Sequence, residues 1–185
     1  MTIKNDGWIK TFGDSGGIEP FDPEAVNPAS YDIAIGKDVI LYRECNEHSI
    51  TGLGELSGIQ QIQSKTYDLS LTSVKLKPGD RALVASQEII KTPVDVAVTI
   101  RLKSSLARQM IVAPIGLYID PGYEGQITLC LINMGAEDYE LRIGRRVGQL
   151  IFQGLSAPAE VPYGDPRRKS HYQGSFGVTG NKSSL

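Results

Sequence analysis

The chain has 185 residues, a formal net charge of −2, two histidines and two cysteines. That length suits one domain, and the near-neutral charge gives no broad basic field, which argues against bulk nucleic-acid binding through phosphates. Cys45 and Cys130 stand far apart and make no disulfide framework. With His48 and His171 as the only histidines, the Cys/His spacing of a zinc site is missing, and with it the zinc-activated water of nucleobase deaminases. No apolar run approaches the ~20 residues of a membrane span and the first ten residues carry no signal-peptide core, so the expectation is a cytoplasmic protein with no membrane or nucleic-acid partner.

Residues 1–27 are punctuated by Gly13, Gly16, Gly17, Pro20 and Pro23 and read as irregular, residues 1–18 forming an arm, with room for a short helix near Pro23. Tyr31 to Gly36 alternates as a strand ended by glycine. Within it Asp32 lies between apolar neighbours, either as a turn-capping or surface carboxylate or as an anchor for a metal's water shell or a sugar hydroxyl. Val39 to Arg43 is a second strand, and the Gly-dotted residues 44–66 read as a loop or short hairpin. Further strands are expected at Tyr67–Leu71 continuing through Val74–Leu76, then Arg81–Ser86, Glu88–Ile90 and Val94–Leu102. The Lys77-Pro78-Gly79-Asp80 and Thr92-Pro93 turns break the series. A short helix fits Ser105 to Gln109. Met110 to Ile119 is β-like and runs into the turn Asp120-Pro121-Gly122-Tyr123-Glu124-Gly125, and Gln126 to Asn133 follows as a strand. Tyr139–Ile143 and Val147–Phe152 complete the set, the latter with Gln149 in its middle, satisfied by backbone or aimed into a site. Many short strands at turn-punctuated spacing predict an all-β barrel or sandwich, here over residues 19–157. Residues 158–185 change character: Pro158, Pro162, Gly164 and Pro166 break regular structure, Arg167-Arg168-Lys169 is a basic run, and the Gly-spaced aromatic stretch after it is suited to folding over a ligand.

The chemistry-bearing residues concentrate between Arg101 and Gly135. Lys103, Ser104, Ser105 and Arg108 offer cations and hydroxyls that suit an oligophosphate. Asp120, a carboxylate held at a strand end, suits a water nucleophile. Together they predict a site that processes a nucleotide.

Five segments, PASYDIAIG (28–36), KSSLAR (103–108), IDPGYEGQITL (119–129), GRRVGQLIF (144–152) and YQGSFGVTG (172–180), occur in the order seen in the trimeric dUTPase and dCTP deaminase superfamily, which the chain resembles from about Glu19 onward. The resemblance implies a distorted β-barrel or jelly-roll-like fold with few short helices. It also implies a homotrimer with its sites at subunit interfaces, a deoxynucleoside triphosphate substrate, and Mg²⁺ carried with the triphosphate and Asp32 in its outer shell. It places Lys103, Ser104, Ser105, Arg108, Arg146 and Gln149 on the phosphates, Asp120 on the catalytic water and Tyr123 beneath the deoxyribose. Tyr172, Gln173 and Phe176 fall in a closing tail. The tail's usual arginine is His171 here, so Arg168 or Lys169 would take its phosphate role. The segment IEPFDPEAVNPASYD (18–32) and the run after the last strand resemble the deaminase branch, which carries a glutamate acting as general acid/base after the ITL segment. This chain has Cys130 there, read as a small core residue. A thiol replaces a carboxylate poorly in proton transfer, and the resulting expectation is a dUTP pyrophosphatase releasing dUMP. The alternatives are a dCTP deaminase, or a nucleotide-binding homologue without catalysis.

Overall fold

Strand β11 (Glu124–Asn133) shows why the chain is a β-protein. Gly125, Ile127, Leu129, Leu131 and Asn133 are buried, while Gln126, Thr128, Cys130 and Ile132 between them stay partly open. That period of two gives one face to the core and one to a site. The structure, a computed structural model, describes residues 2–45, 61–114, 117–180 and 182.

In chain order the strands are β1 (Thr2–Ile3), β2 (Ile18–Glu19), β3 (Val26–Asn27), β4 (Ser30–Cys45), β5 (Gln61–Asp68), β6 (Val74–Leu76), β7 (Arg81–Lys91), β8 (Val96–Leu102), β9 (Ile111–Val112) and β10 (Leu117–Ile119), followed by β11, β12 (Tyr139–Leu141) and β13 (Arg146–Gly154). Among the described residues, eleven of them form one curled sheet whose path runs β10-β8-β13-β4-β7-β11-β9, and β12 pairs with β6 in a separate ribbon. The fold is the expected all-β, distorted-barrel, dUTPase-like type with few short helices.

β4 holds the two halves together. Its start pairs with β13, with Gln149 opposite Asp32, and its later part lies between β5 and β7. It does not stop at Gly36, as the sequence suggests. The glycine lets the strand pass close to β7, where a Cβ would lie 2.8 Å from the Ser86 carbonyl oxygen. β7 likewise runs unbroken from Arg81 to Lys91 rather than as two pieces. The strand expected at Tyr67–Leu71 ends at Asp68, whose carboxylate accepts the Ser70 N–H at 2.8 Å and turns the chain, leaving Leu71 exposed. The β-run expected over Met110–Ile119 is divided, Ile111–Val112 pairing with β11 and Leu117–Ile119 with β8. Much of the loop expected at 44–66 lies outside the described residues, and its last part is strand β5.

The arm is not irregular throughout. Helix α1 (Asp6–Phe12) is capped by the Asn5 side chain, which accepts from Trp8 N at 3.1 Å. Seven residues make a marginal helix alone. Packing supplies the rest: Ile9 and Phe12 are buried, and Trp8 stacks on Phe12 at 4.8 Å and meets Phe152 of β13 at 5.4 Å. The second short helix, α2 (Ser104–Ala107), anchors by buried Leu106. No helix among the described residues is long and apolar enough to cross a membrane.

Candidate active site

Asp120 opens the turn between β10 and β11, and one buried hydroxyl holds that turn. Thr92 Oγ1 donates to the Asp120 carbonyl oxygen at 2.9 Å and accepts from Tyr123 N at 2.8 Å. The Thr92 backbone closes the ring by donating to Tyr123 O at 2.8 Å. Gly122 adopts φ 84°, and a Cβ there would lie 2.6 Å from Pro162 Cβ, so the turn needs a glycine. Tyr123 is buried, its hydroxyl donating to Gln126 O at 2.6 Å and its ring packed edge-on against Tyr163 at 5.7 Å. Burial pushes its phenol pKa up to about 12, so the ring stays neutral at working pH.

A cavity of about 150 Å³ opens beside this turn, with Asp120, Tyr123, Thr128, Tyr163 and Tyr172 among its lining. The sequence-predicted Asp120, Tyr123 and Tyr172 are therefore brought together. A second cavity of about 330 Å³ shares Tyr123, Thr128 and Tyr172 and adds Gln126, Ser175 and Thr179. Gln173 ties the tail to the turn, accepting from Glu124 N at 3.2 Å and donating to Gly122 O at 3.3 Å. Phe176 does not join Tyr123. It is 66% exposed and lines a third cavity of about 520 Å³ with Gly36, Lys37, Asp38 and Gln126.

The residues expected on the phosphates lie elsewhere on the chain. Asp32 is buried and ion-paired with the Lys103 ammonium; it also accepts from Asn27 Nδ2 at 2.9 Å and Gln149 Nε2 at 3.3 Å. The bland surface reading of Asp32 is thereby excluded, and Gln149 is aimed at side chains, reaching Ser30 Oγ at 3.4 Å as well. Ser104 and Ser105 open α2 in exposed positions, and exposed Arg108 lines a separate cavity of about 260 Å³ with Met110 and Tyr139. Arg146 donates to Asp22 Oδ2 at 2.6 Å and Glu24 O at 3.0 Å, both in the segment between β2 and β3. Arg168 and Lys169 stand exposed at a 3₁₀ turn. The lining of the 150 Å³ cavity holds none of these cations.

The residues do not fit a magnesium ion held by the protein. Among the described residues no group of three or more His, Cys, Asp or Glu side chains comes together, and the Asp32 carboxylate is already engaged by a cation and two amides.

Cys130 corrects the sequence reading. It is not in the core: it sits half-buried on the outward face of β11, the face of Gln126 and Thr128, opposite Leu83 of β7. Leu83 itself lines the 330 Å³ cavity. Burial pushes the thiol pKa up, with the nearby Arg81 pulling it back. The alternation of β11 was signal enough to place Cys130 with Gln126 rather than with Leu129. Sequence reasoning also missed Thr92, which shows only as a Thr-Pro turn, and Glu88, which shows only as part of a strand. Glu88 is buried with both carboxylate oxygens 3.1–3.2 Å from Ala34 N. Burial pushes its pKa up to about 7 against the pull of that N–H and of Arg146.

A family model described as dCTP deaminase-like matches residues 3–155. A protein of Natronomonas pharaonis named dCTP deaminase is 39% identical over 181 residues, 95% of this chain and 91% of that one. A protein of Methanobrevibacter smithii named dCTP deaminase, dUMP-forming, is 32% identical over 176 residues, 93% of this chain and 90% of that one. The crystal structure of 2′-deoxycytidine 5′-triphosphate deaminase from Agrobacterium tumefaciens shares the fold, with a TM-score of 0.64 at 23% identity over 82% of this chain; the chain spans about half of that protein's length (48%). These relatives overturn the expected dUTP pyrophosphatase. The physical reason is that hydroxyls, cations and Asp120 serve equally to hold a triphosphate, and do not report which bond is broken. The weight placed against chemistry at the base rested on one residue, Cys130, and one absent carboxylate is outweighed by 32–39% identity to proteins named dCTP deaminase across more than nine tenths of the chain.

Proposed function

The chain belongs to the dCTP deaminase-like family, and from that premise we propose that it is an enzyme deaminating the cytosine base of dCTP. The observation that carries the reading is 32–39% identity to relatives of that name across more than nine tenths of this chain. In the reaction, water adds to C4 as one of its protons passes to N3; the second proton passes from the C4 hydroxyl to the amino group, the C4–N bond breaks to release ammonia, and the C4 oxygen becomes the uracil carbonyl. Asp120 is the carboxylate lining the 150 Å³ cavity and is assigned to hold and orient that water. Tyr123 lies beneath the deoxyribose, and Tyr172, Gln173 and Phe176 close the tail over the nucleotide. Lys103, Ser104, Ser105, Arg108, Arg146 and Gln149 hold the triphosphate, with Arg168 and Lys169 at its far end. Because cavity and cations lie apart on one chain, the assembled site draws on two subunits of a homotrimer.

Incubating the protein with dCTP, with Mg²⁺ present to accompany the triphosphate, tests the proposal. Ammonia release with stoichiometric conversion of cytosine to uracil nucleotide on ion-exchange chromatography is expected. Intact dCTP and no ammonia would overturn it. The same chromatogram reads whether the product keeps its triphosphate.

A further inference from the structure

Gln126 lines both the 330 Å³ and the 520 Å³ cavities, and its side chain bridges the sheet and the tail. Its amide nitrogen donates to Ser86 O at 2.8 Å and Gln87 O at 3.4 Å on β7. Its amide oxygen accepts from Gly177 N at 2.6 Å on the tail. The orientation is fixed from both sides, since one end meets carbonyl oxygens and the other an N–H. Around it the tail runs parallel to the start of β11. Gln126 N donates to Ser175 O and Gly174 N to Glu124 O, both at 2.8 Å, and Thr179 N reaches Thr128 Oγ1 at 3.1 Å. Gly125 makes the approach possible, because a Cβ there would lie 2.9 Å from Ser175 O. The docked tail then supplies Tyr172, Ser175 and Thr179 to one cavity wall and Phe176 and Gly177 to the other.

We propose that Gln126 is the positioning residue that fastens the C-terminal tail to its own β11, and so sets the walls of both cavities. Only a side chain with a donor and an acceptor at the same distance does this. A carboxylate at 126 would keep the Gly177 contact but face the Ser86 and Gln87 carbonyl oxygens; an aliphatic chain would lose both. The competing role is a brace within the sheet, because the β7–β11 register shifts between Gln126 and Thr128. The two roles separate by where the molecule loosens.

The test is hydrogen exchange read by mass spectrometry on full-length wild type, Gln126→Leu and Gln126→Glu, with steady-state kinetics on dCTP. Peptides covering 172–180 should exchange about tenfold faster in Gln126→Leu, and faster than wild type but by less in Gln126→Glu, which keeps the Gly177 contact, while those from β7 and from β11 beyond Thr128 are unchanged in both. KM for dCTP should rise about tenfold with kcat within about twofold, the pattern of a lost contact that serves substrate and transition state alike. Unchanged exchange in the tail, or equal loosening of tail and sheet, would overturn the proposal. The kinetic arm rests on the deaminase reading. If wild type leaves dCTP intact, that reading fails while the exchange arm still decides the role of Gln126.

Discussion

A thiol held above its ordinary pKa by burial carries protons poorly at neutral pH, and Cys130 is such a thiol on the cavity side of β11. A carboxylate at the same place would titrate lower, with Arg81 close enough to stabilise its charge, and the chain's resemblance to the deaminase branch puts a glutamate there. Cys130→Glu should therefore raise the rate of dCTP deamination, by ~10²-fold or more if the carboxylate becomes the general acid/base. Single-turnover ammonia release with saturating dCTP measures it. A rate equal to wild type would mean that proton transfer at the base runs through Asp120 and water alone. The two residues differ in what they need from the fold: Asp120 is held through its backbone by Thr92, Cys130 only by the alternation of its strand.

At the scale of strands, the informative places are where pairing slips. β13 and β4 lose register between Arg146 and Gly148, and β4 and β7 between Ile35 and Val39. The buried Glu88 carboxylate takes the Ala34 N–H beside these slips. The groups facing it are Asp22 from the segment between β2 and β3, Arg146 from β13 and Tyr31 from β4, the last a phenol pushed up to about 12 by burial. Its pKa, raised from 4.5 to about 7, means the folded state binds the proton more tightly than the unfolded one. The stabilisation is full below pH 4.5 and is lost as pH rises through about 7. Glu88→Gln should remove this dependence, leaving stability near wild type at pH 5 and raising it at pH 8 by up to ~3 kcal/mol, the equivalent of that pKa difference. Thermal unfolding at the two pH values checks it, and parallel wild-type and variant curves would refute the assignment. The same slips explain how far the sequence could be read. Alternation in β11 and β13, and the turn residues at Lys77–Asp80 and Asp120–Gly125, are local signals and are legible. The passage of β4 through Gly36 and the reach of Glu88 to Ala34 depend on a neighbour 50 or so residues away, and leave no local pattern.

The whole molecule poses a different question, because one chain keeps the parts of its site apart. Asp120, Tyr123 and Tyr172 share a cavity, while Lys103 and Gln149, both half-buried, gather around buried Asp32, and Arg108 lines another surface. Tail residues dock on the chain's own β11 rather than bridging the two groups. A site completed across a subunit boundary reconciles these placements, and active-site complementation distinguishes it from a site closed within one chain. Asp120→Asn and Arg108→Ala should each lose most dCTP turnover alone, the first through the water and the second through the triphosphate. When the two are unfolded together and refolded as mixed trimers, sites pairing an intact Asp120 from one subunit with an intact Arg108 from another arise at random. About a quarter of wild-type activity should return at equal mixing if each site takes one residue from each of two subunits. A site contained in one chain predicts no recovery, since every chain in the mixture carries one lesion. Sedimentation at three times the single-chain mass, for wild type and mixture alike, ties the recovered activity to the trimer.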